Sequence, residues 1–330
     1  MNILLTGACG YIGSHVCDQM MKDNNIIVVD NLSTGFRNAI SPNIKLYIED
    51  LANTREIESI FRKHRIEAVI HFAGKISVPE SVANPYLYYQ TNTFNTLNLL
   101  NIASKCGVKF FIFSSTAAVY SQPNGTVHLS ETDKTNPISP YGASKLMSER
   151  IIADIGRISG IKYAILRYFN VAGADPSLRI GQRNSNAAHL IKMCCKTVLG
   201  DRDCLDIFGT DYPTKDGTGV RDYIHVYDLA QAHLSALEYL KNGGISDIFN
   251  VGYSHGYSVL DIVDSFKRIT NKDIKLRYAP RRNGDCAYIV ADNSKILSKT
   301  NWIPRFNDID LIVRHSYEFE LRLRRGELEI

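Results

Sequence analysis

The chain has 330 residues, of which 45% are apolar and 22% charged, with a formal net charge of +4. That length admits a large core and two domains or one enlarged one, and the composition excludes a disordered or fibrous protein. The slight basic excess is interspersed with acids, as where Arg322, Arg324 and Arg325 alternate with Glu320 and Glu327, which reads as a solvated helix face rather than a nucleic-acid surface.

Seven cysteines, an odd number, form no C-x-x-C, and Cys194 and Cys195 are adjacent. Free thiols in a reducing compartment are expected, not a disulfide framework. No run approaches 18 apolar residues, and the first residues read as a strand, not a charged leader. The expectation is a cytosolic protein with no membrane partner, no nucleic-acid partner and no metal site.

Met1–Thr6 reads as a short buried strand. It runs into Thr6-Gly7-Ala8-Cys9-Gly10-Tyr11-Ile12-Gly13 and then a helical stretch to about Lys22. Strand, glycine turn and helix in that order open a dinucleotide-binding unit, because the glycines let the backbone approach a pyrophosphate at a helix N-terminus. The spacing is G-x-x-G-x-x-G, so its context matters. A second apolar strand, Ile26–Val29, ends in Asp30, 23 residues after Gly7. An acid there accepts from both ribose hydroxyls of an adenosine and repels a 2′-phosphate, which favours NAD over NADP. A third strand, Leu46–Ile48, ends at Glu49-Asp50-Leu51, where Asp50 suits an adenine contact or a turn cap equally.

The alternation continues with a helix over Thr54–His64 and a strand over Ala68–Phe72 that ends in Ala73-Gly74. One long helix is expected over Val82–Cys106, then a strand over Phe110–Phe113 running into Ser114-Ser115-Thr116. Hydroxyls at the carboxyl end of a parallel strand face the ligand crevice. In Ser139-Pro140-Tyr141-Gly142-Ala143-Ser144-Lys145, Ser139 is the expected N-cap and Pro140 the first helical residue. Tyr141 and Lys145, four apart, project from one face of that helix. A tyrosine with pKa of about 10 is a poor base, but an ammonium at about 4 Å in a medium of dielectric about 20 stabilises the phenolate by roughly 4 kcal/mol. Thr116 would bond both a substrate hydroxyl and the Tyr141 oxygen. Further on, Tyr227–Leu240 reads as a helix, Ile248–Val251 as a late strand, and Trp302 and the helix after Asp308 as packing.

This order of motifs resembles the extended short-chain dehydrogenase/reductase family. Leu166-Arg167-Tyr168-Phe169-Asn170-Val171-Ala172-Gly173-Ala174, Asp206–Thr214, Asp216–Val226 and Arg281-Arg282-Asn283-Gly284-Asp285 are similar to motifs of its UDP-galactose 4-epimerase subfamily. The resemblance spans nearly the whole chain. It implies an α/β fold: a Rossmann-type doubly wound parallel sheet with a smaller α/β substrate-binding domain. It places NAD in residues 1–170, with 226–252 returning to that domain, and a UDP-sugar in 171–225 plus 253–330.

Carried over residue by residue, the resemblance assigns Tyr141, Lys145 and Thr116 to catalysis of an isomerase reaction at the sugar C4. Gly7, Gly10, Tyr11, Ile12 and Gly13 would hold the pyrophosphate, and Asp30, Asn31, Asp50 and Leu51 the adenosine. Phe72, Ala73, Gly74, Asn92, Ser114 and Tyr168 would line the nicotinamide half, with Tyr141 and Lys145. On the substrate side, Asn170, His189 and Leu190 would enclose the diphosphate, His189 as a backbone or phosphate contact and not a base. Asp206 belongs to the same set, Phe208 would lie beside the uracil, and Asp285 would accept from the uridine ribose. Arg221 and Arg282 would clamp the diphosphate. Ile289 would gate the sugar 2-substituent, unless the register is off by one and Tyr288 does. The helices 82–106 and 140–157 resemble those of a homodimer interface.

Two positions depart from the pattern. Lys75 stands one residue early for a cofactor-contacting lysine, with Ile76 in that place, and Ser121 replaces a glycine. The rivals are a UDP-N-acetylglucosamine 4-epimerase or an enzyme of dual specificity, and more remotely a non-catalytic dinucleotide-binding scaffold. The scaffold usually lacks the Tyr or the Lys. A 4,6-dehydratase needs an Asp-Glu pair after the Thr, where this chain has Ala117-Ala118.

Overall fold

Seven strands form one wholly parallel sheet in the computed structural model, which describes residues 1–121, 128–282 and 284–328. Asn283 of the Arg281–Asp285 motif and residues 329–330 of the expected second domain lie outside the described residues. The sheet takes its strands from β1 (Asn2–Thr6), β2 (Asn25–Asp30), β3 (Lys45–Ile48), β4 (Ala68–His71), β5 (Phe110–Thr116) and β6 (Lys162–Tyr168). The next three strands lie elsewhere: β7 (Asn170–Ala172), β8 (Leu205–Phe208) and β9 (Val220–His225). The chain then returns to the large sheet as β10 (Asp247–Val251), which pairs with β6. The order β10-β6-β5-β4-β1-β2-β3 reverses direction between β1 and β4, and that switch point opens a crevice at the strands' carboxyl ends.

The strands are near-continuous apolar runs because both faces of the sheet are covered. Ile3, Leu5, Val28, Ile70, Ile112 and Leu166 point to one face, under α1 (Tyr11–Met20) and α8 (Val226–Lys241). Leu4, Ile27, Val69, Phe111, Phe113 and Ile165 point to the other, under α2 (Thr54–His64), α5 (Asn95–Lys105) and α6 (Pro140–Ser159). Ser139 caps α6 by accepting the Gly142 N–H at 3.2 Å, and Gly160 ends it at φ +77°. Gly142 is required there, since a Cβ would run into the Ala118 carbonyl oxygen.

The single helix expected over 82–106 is broken. α3 (Val78–Ala83) stops at Asn84, which precedes Pro85 and leaves the helical region at φ −138°, ψ 72°. The chain restarts as α4 (Pro85–Tyr88) and widens into a π-helical turn, Tyr89–Phe94, before α5. The turn is held open by side-chain hydroxyls. Thr91 donates to the Leu87 carbonyl at 2.6 Å, and Thr96 and Ser148 both donate to that of Asn92, at 2.5 and 3.0 Å.

The remaining strands make smaller sheets. β9 pairs with β7, with β11 (Gly256–Ser258) and with β13 (Tyr288–Ile289); β12 (Leu276–Ala279) pairs with β8. α7 (Leu190–Val198), α9 (Val259–Thr270) and α11 (Ile309–Arg324) pack together, and α10 (Ser294–Lys299) lies against β10. Trp302 is buried and donates its indole N–H to the Asp228 carbonyl at 2.9 Å. The apolar core is continuous from the large sheet through α7, α9 and α11. All seven cysteines are free. Among the described residues no helix is long and apolar enough to cross a membrane.

Candidate active site

The crevice at the switch point has a volume of about 210 Å³. Gly7, Gly10, Tyr11, Ile12 and Gly13 form its floor, Asp30, Asn31, Asp50 and Leu51 one end, and Phe72, Ala73, Gly74 and Tyr168 the other. Gly7 stands at φ +70°, and a Cβ there would lie 2.6 Å from Ala73 N, so only glycine lets β1 and β4 part this closely. Gly10 precedes α1 with no side chain capping it, leaving the first-turn N–H groups facing the crevice as an anion site. Asp30 is buried, and its two oxygens accept the N–H groups of Cys9 at 2.9 Å and Leu32 at 2.8 Å. Each oxygen keeps a lone pair for a ribose hydroxyl. Asn31 donates to Asp50 at 2.7 Å, joining the two strand ends. The uncapped glycine turn and the strand-end acid fit a dinucleotide.

Several crevice residues are ones that sequence reasoning misses. Gln182 and Asn184 come from the segment after β7, which Tyr11 anchors by donating to the Gly173 carbonyl at 2.6 Å. Ser33, Thr34 and Gly35 lie on a turn whose signal is the Ser-Thr-Gly run itself. Lys75 and Ile76 also line the crevice. Asn92 ties the loop after β4 to α6. Its Oδ1 accepts the Lys75 N–H at 2.8 Å, and its Nδ2 donates to the Lys75 carbonyl and to Ser144 Oγ, both at 3.0 Å.

Tyr141, Lys145, Thr116 and Ser114 meet beyond the Gly74 end, all buried. Lys145 Nζ donates to the Ser114 carbonyl at 3.0 Å, lies 4.7 Å from the Phe113 ring centroid, and is 3.7 Å from where a Gly74 Cβ would stand. Burial pushes its pKa down to about 8, against the pull of Glu149. Burial raises the Tyr141 phenol above its ordinary value, while a hydrogen bond from Thr116 opposes the rise. The ammonium that helical spacing places on the same face as the phenol is seated on a strand carbonyl in the free protein.

On the far side, Asn170 begins β7 opposite Tyr223 of β9, and Arg221 of β9 is in register with Ile289 of β13. Arg221 and Asp285 both act electrostatically on Tyr212 and Cys286, so the four lie together. The Arg282 guanidinium stacks on Phe208. His189 caps α7, its Nδ1 accepting the Lys192 N–H at 3.4 Å, and Leu190 is the first residue of that helix. With Nδ1 an acceptor and the ring's pKa pushed down by burial to about 4, Nε2 carries the proton and is a buried donor without a partner among the described residues. Asp206 pairs with Arg277 at 2.5 Å and Arg202 at 3.2 Å, feels the Arg282 charge as well, and joins β12 to β8 through its carboxylate.

Fold and crevice together are those of a Rossmann-type dinucleotide enzyme with a Tyr–Lys couple. The chain belongs to the NAD dependent epimerase/dehydratase family, whose model matches residues 3–252. It is 45% identical to a UDP-glucose 4-epimerase of Azospirillum brasilense, over 98% of this chain and 93% of that one. Among solved structures it is similar to the UDP-Glc/GlcNAc 4-epimerase of Campylobacter jejuni (45% identity, TM-score 0.86, covering 97% of this chain and 99% of the other). It also resembles a UDP-glucose 4-epimerase from Stenotrophomonas maltophila with bound NAD and formylated UDP-arabinopyranose, at 34% identity and TM-score 0.94, with 99% of each chain covered.

Proposed function

We propose that this chain is an NAD-dependent isomerase that inverts C4 of UDP-hexoses, interconverting UDP-galactose and UDP-glucose through a transient 4-keto sugar nucleotide. One juxtaposition carries the reading: a buried Tyr141 bonded to Thr116, one helical turn from a Lys145 whose Nζ reaches the Gly74 end of a dinucleotide crevice. The dinucleotide supplies, when bound, the acceptor and donor of the C4 hydride and a positive charge beside Tyr141. Asp30 and the glycine turn bind it, Lys145 holds its nicotinamide ribose, and Tyr168 flanks it. Tyr141 takes the proton from the C4 hydroxyl and later returns it, while Thr116 steers that proton. Arg221, Arg282, Asn170 and His189 hold the diphosphate, and Phe208 and Asp285 the uridine. The grip on this unreacting part keeps the keto sugar in place while it turns to present its other face.

We infer the domain division from the strand pairing: residues 1–170 with 226–252 hold the dinucleotide, because β10 lies in the large sheet, and 171–225 with 253–330 hold the UDP-sugar. A homodimer is supported by the exposed apolar side chains Val82, Tyr86, Leu97 and Met147 on the α3–α6 side. Cytosolic residence fits the free thiols.

The test is a side-by-side assay of the purified protein on UDP-galactose and UDP-N-acetylgalactosamine, with detection of the 4-epimers. Conversion of the first is expected. No product from either substrate, with NAD supplied, would reject the epimerase reading.

A further inference from the structure

His233 lies on α8 beneath the crevice floor, fully buried. Its ring centroid is 5.0 Å from that of Phe72 and 6.5 Å from that of Tyr168, two residues that line the crevice. Its hydrogen-bond partners settle its protonation. Nδ1 is 2.8 Å from the Leu229 carbonyl oxygen, and a carbonyl only accepts, so Nδ1 carries a proton. Burial pushes the ring's pKa down to about 4, so at neutral pH Nε2 carries none. Ser114 Oγ lies 3.0 Å from that bare nitrogen. The one hydroxyl proton of Ser114 therefore goes to His233.

The rest of the chain follows. Ser114 donates to His233, and His233 to the Leu229 carbonyl. The Ser114 carbonyl is at the same time the seat of Lys145 Nζ, at 3.0 Å. Tyr168 and Tyr141 lie close enough that charge on one opposes charge on the other.

We propose that His233 is a positioning residue for the reaction: by accepting the Ser114 proton, with its ring packed against Phe72 and Tyr168, it fixes the strand end whose carbonyl seats Lys145, leaving Tyr141 as the base. The inference rests on the epimerase reading and on Tyr141 as its base. His233 moves no proton itself.

Three variants test it on UDP-galactose. His233→Phe keeps a buried ring without an acceptor, His233→Gln keeps an acceptor near Nε2, and Ser114→Ala removes the middle hydroxyl but not the carbonyl. His233→Phe and Ser114→Ala should each lower kcat about tenfold, the size of one lost hydrogen bond, with KM within about twofold. His233→Gln should restore kcat to within about threefold of the parent, and His233→Phe should add nothing in a Ser114→Ala background. Parental kcat in His233→Phe, no gain from Gln over Phe, or losses that multiply in the double variant would each overturn the proposal. If His233→Phe does not fold, by circular dichroism, parental kcat in Ser114→Ala overturns it alone. A parent inactive on UDP-galactose refutes the epimerase reading instead, so the two failures are told apart.

Discussion

Arg282 lies with its guanidinium 3.7 Å from the centroid of the Phe208 ring. The contact is worth about 0.5–2 kcal/mol and keeps a cation ready beside a ring suited to a uracil. In the proposed clamp the guanidinium would exchange this face for diphosphate oxygens, a stronger charge-assisted partner. Arg282→Gln should therefore weaken UDP binding at least tenfold by calorimetry and raise KM more than it lowers kcat. Unchanged UDP affinity would remove Arg282 from the clamp.

Acid should destabilise the protein before its carboxylates are fully protonated. His15, His71 and His233 are buried, with pKa values pushed down to about 4, 3 and 4. Above about pH 6.5 these rings are neutral folded or unfolded and contribute no pH dependence. Below it the unfolded chain binds protons that the folded one does not, so stability falls as pH drops from 6.5 to 4, by on the order of 3 kcal/mol per ring. Asp222, pushed up to about 6 by burial, and Asp30, Glu131 and Asp228, also raised by burial, work the opposite way, while His189 and His225, pushed down like the three, add to the fall. Scanning calorimetry should show Tm falling steeply between pH 6.5 and 4.5; a flat profile would mean that the rings are solvated.

Glu149 and Arg167 form a buried pair at 2.6 Å, and Ser115 donates to the same carboxylate at 2.5 Å. Their side chains are 4% exposed, so removing one partner strands a charge in the core. Arg167→Met should cost about 3–5 kcal/mol in urea unfolding, and adding Glu149→Leu should recover most of it. A single-variant loss below about 1 kcal/mol would show the pair to be hydrated.

Ile289 and Tyr288 are neighbours on a strand and so face opposite ways. Ile289 packs on the cluster of Ala117, Val119 and Phe169, whereas Tyr288 stacks with His128, ring centroids 6.2 Å apart. In the proposed substrate site the gate would thus be the branched aliphatic side chain, which lacks the reach of a tyrosine. Activity on UDP-N-acetylgalactosamine is expected beside that on UDP-galactose, and Ile289→Tyr should suppress it selectively. If Tyr288→Ala changes the ratio of kcat/KM values and Ile289→Tyr does not, the gate is at 288.

What can be read in the sequence is local chemistry with a steric reason. The glycine turn, the acid ending β2 and the Ser139-Pro140 start of α6 each follow from one backbone requirement, and α2 spans Thr54–His64 as its pattern predicts. The rest depends on partners distant in sequence. The π-helical turn at Tyr89–Phe94 is set by hydroxyls that include Ser148 of another helix, and its local sign is only a dense Thr/Asn run. Lys145 four residues from Tyr141 promises a shared face, but the carbonyl that holds its ammonium is on β5. The arginines that pair with Asp206 cannot be seen from its motif. Gln182 and Asn184 reach the crevice only because β7 and its following segment fold back onto α1.

Every role assigned to the crevice depends on the Tyr141 phenolate being the base at C4. Single-turnover and steady-state conversion of UDP-galactose by Tyr141→Phe, beside UDP affinity measured on the same preparation, probes that dependence without an intermediate step. Turnover should fall at least about 10²-fold with UDP affinity within about threefold of the parent, since the ring stays and only the proton acceptor is lost. Turnover near that of the parent, with UDP still bound, would remove Tyr141 as the base.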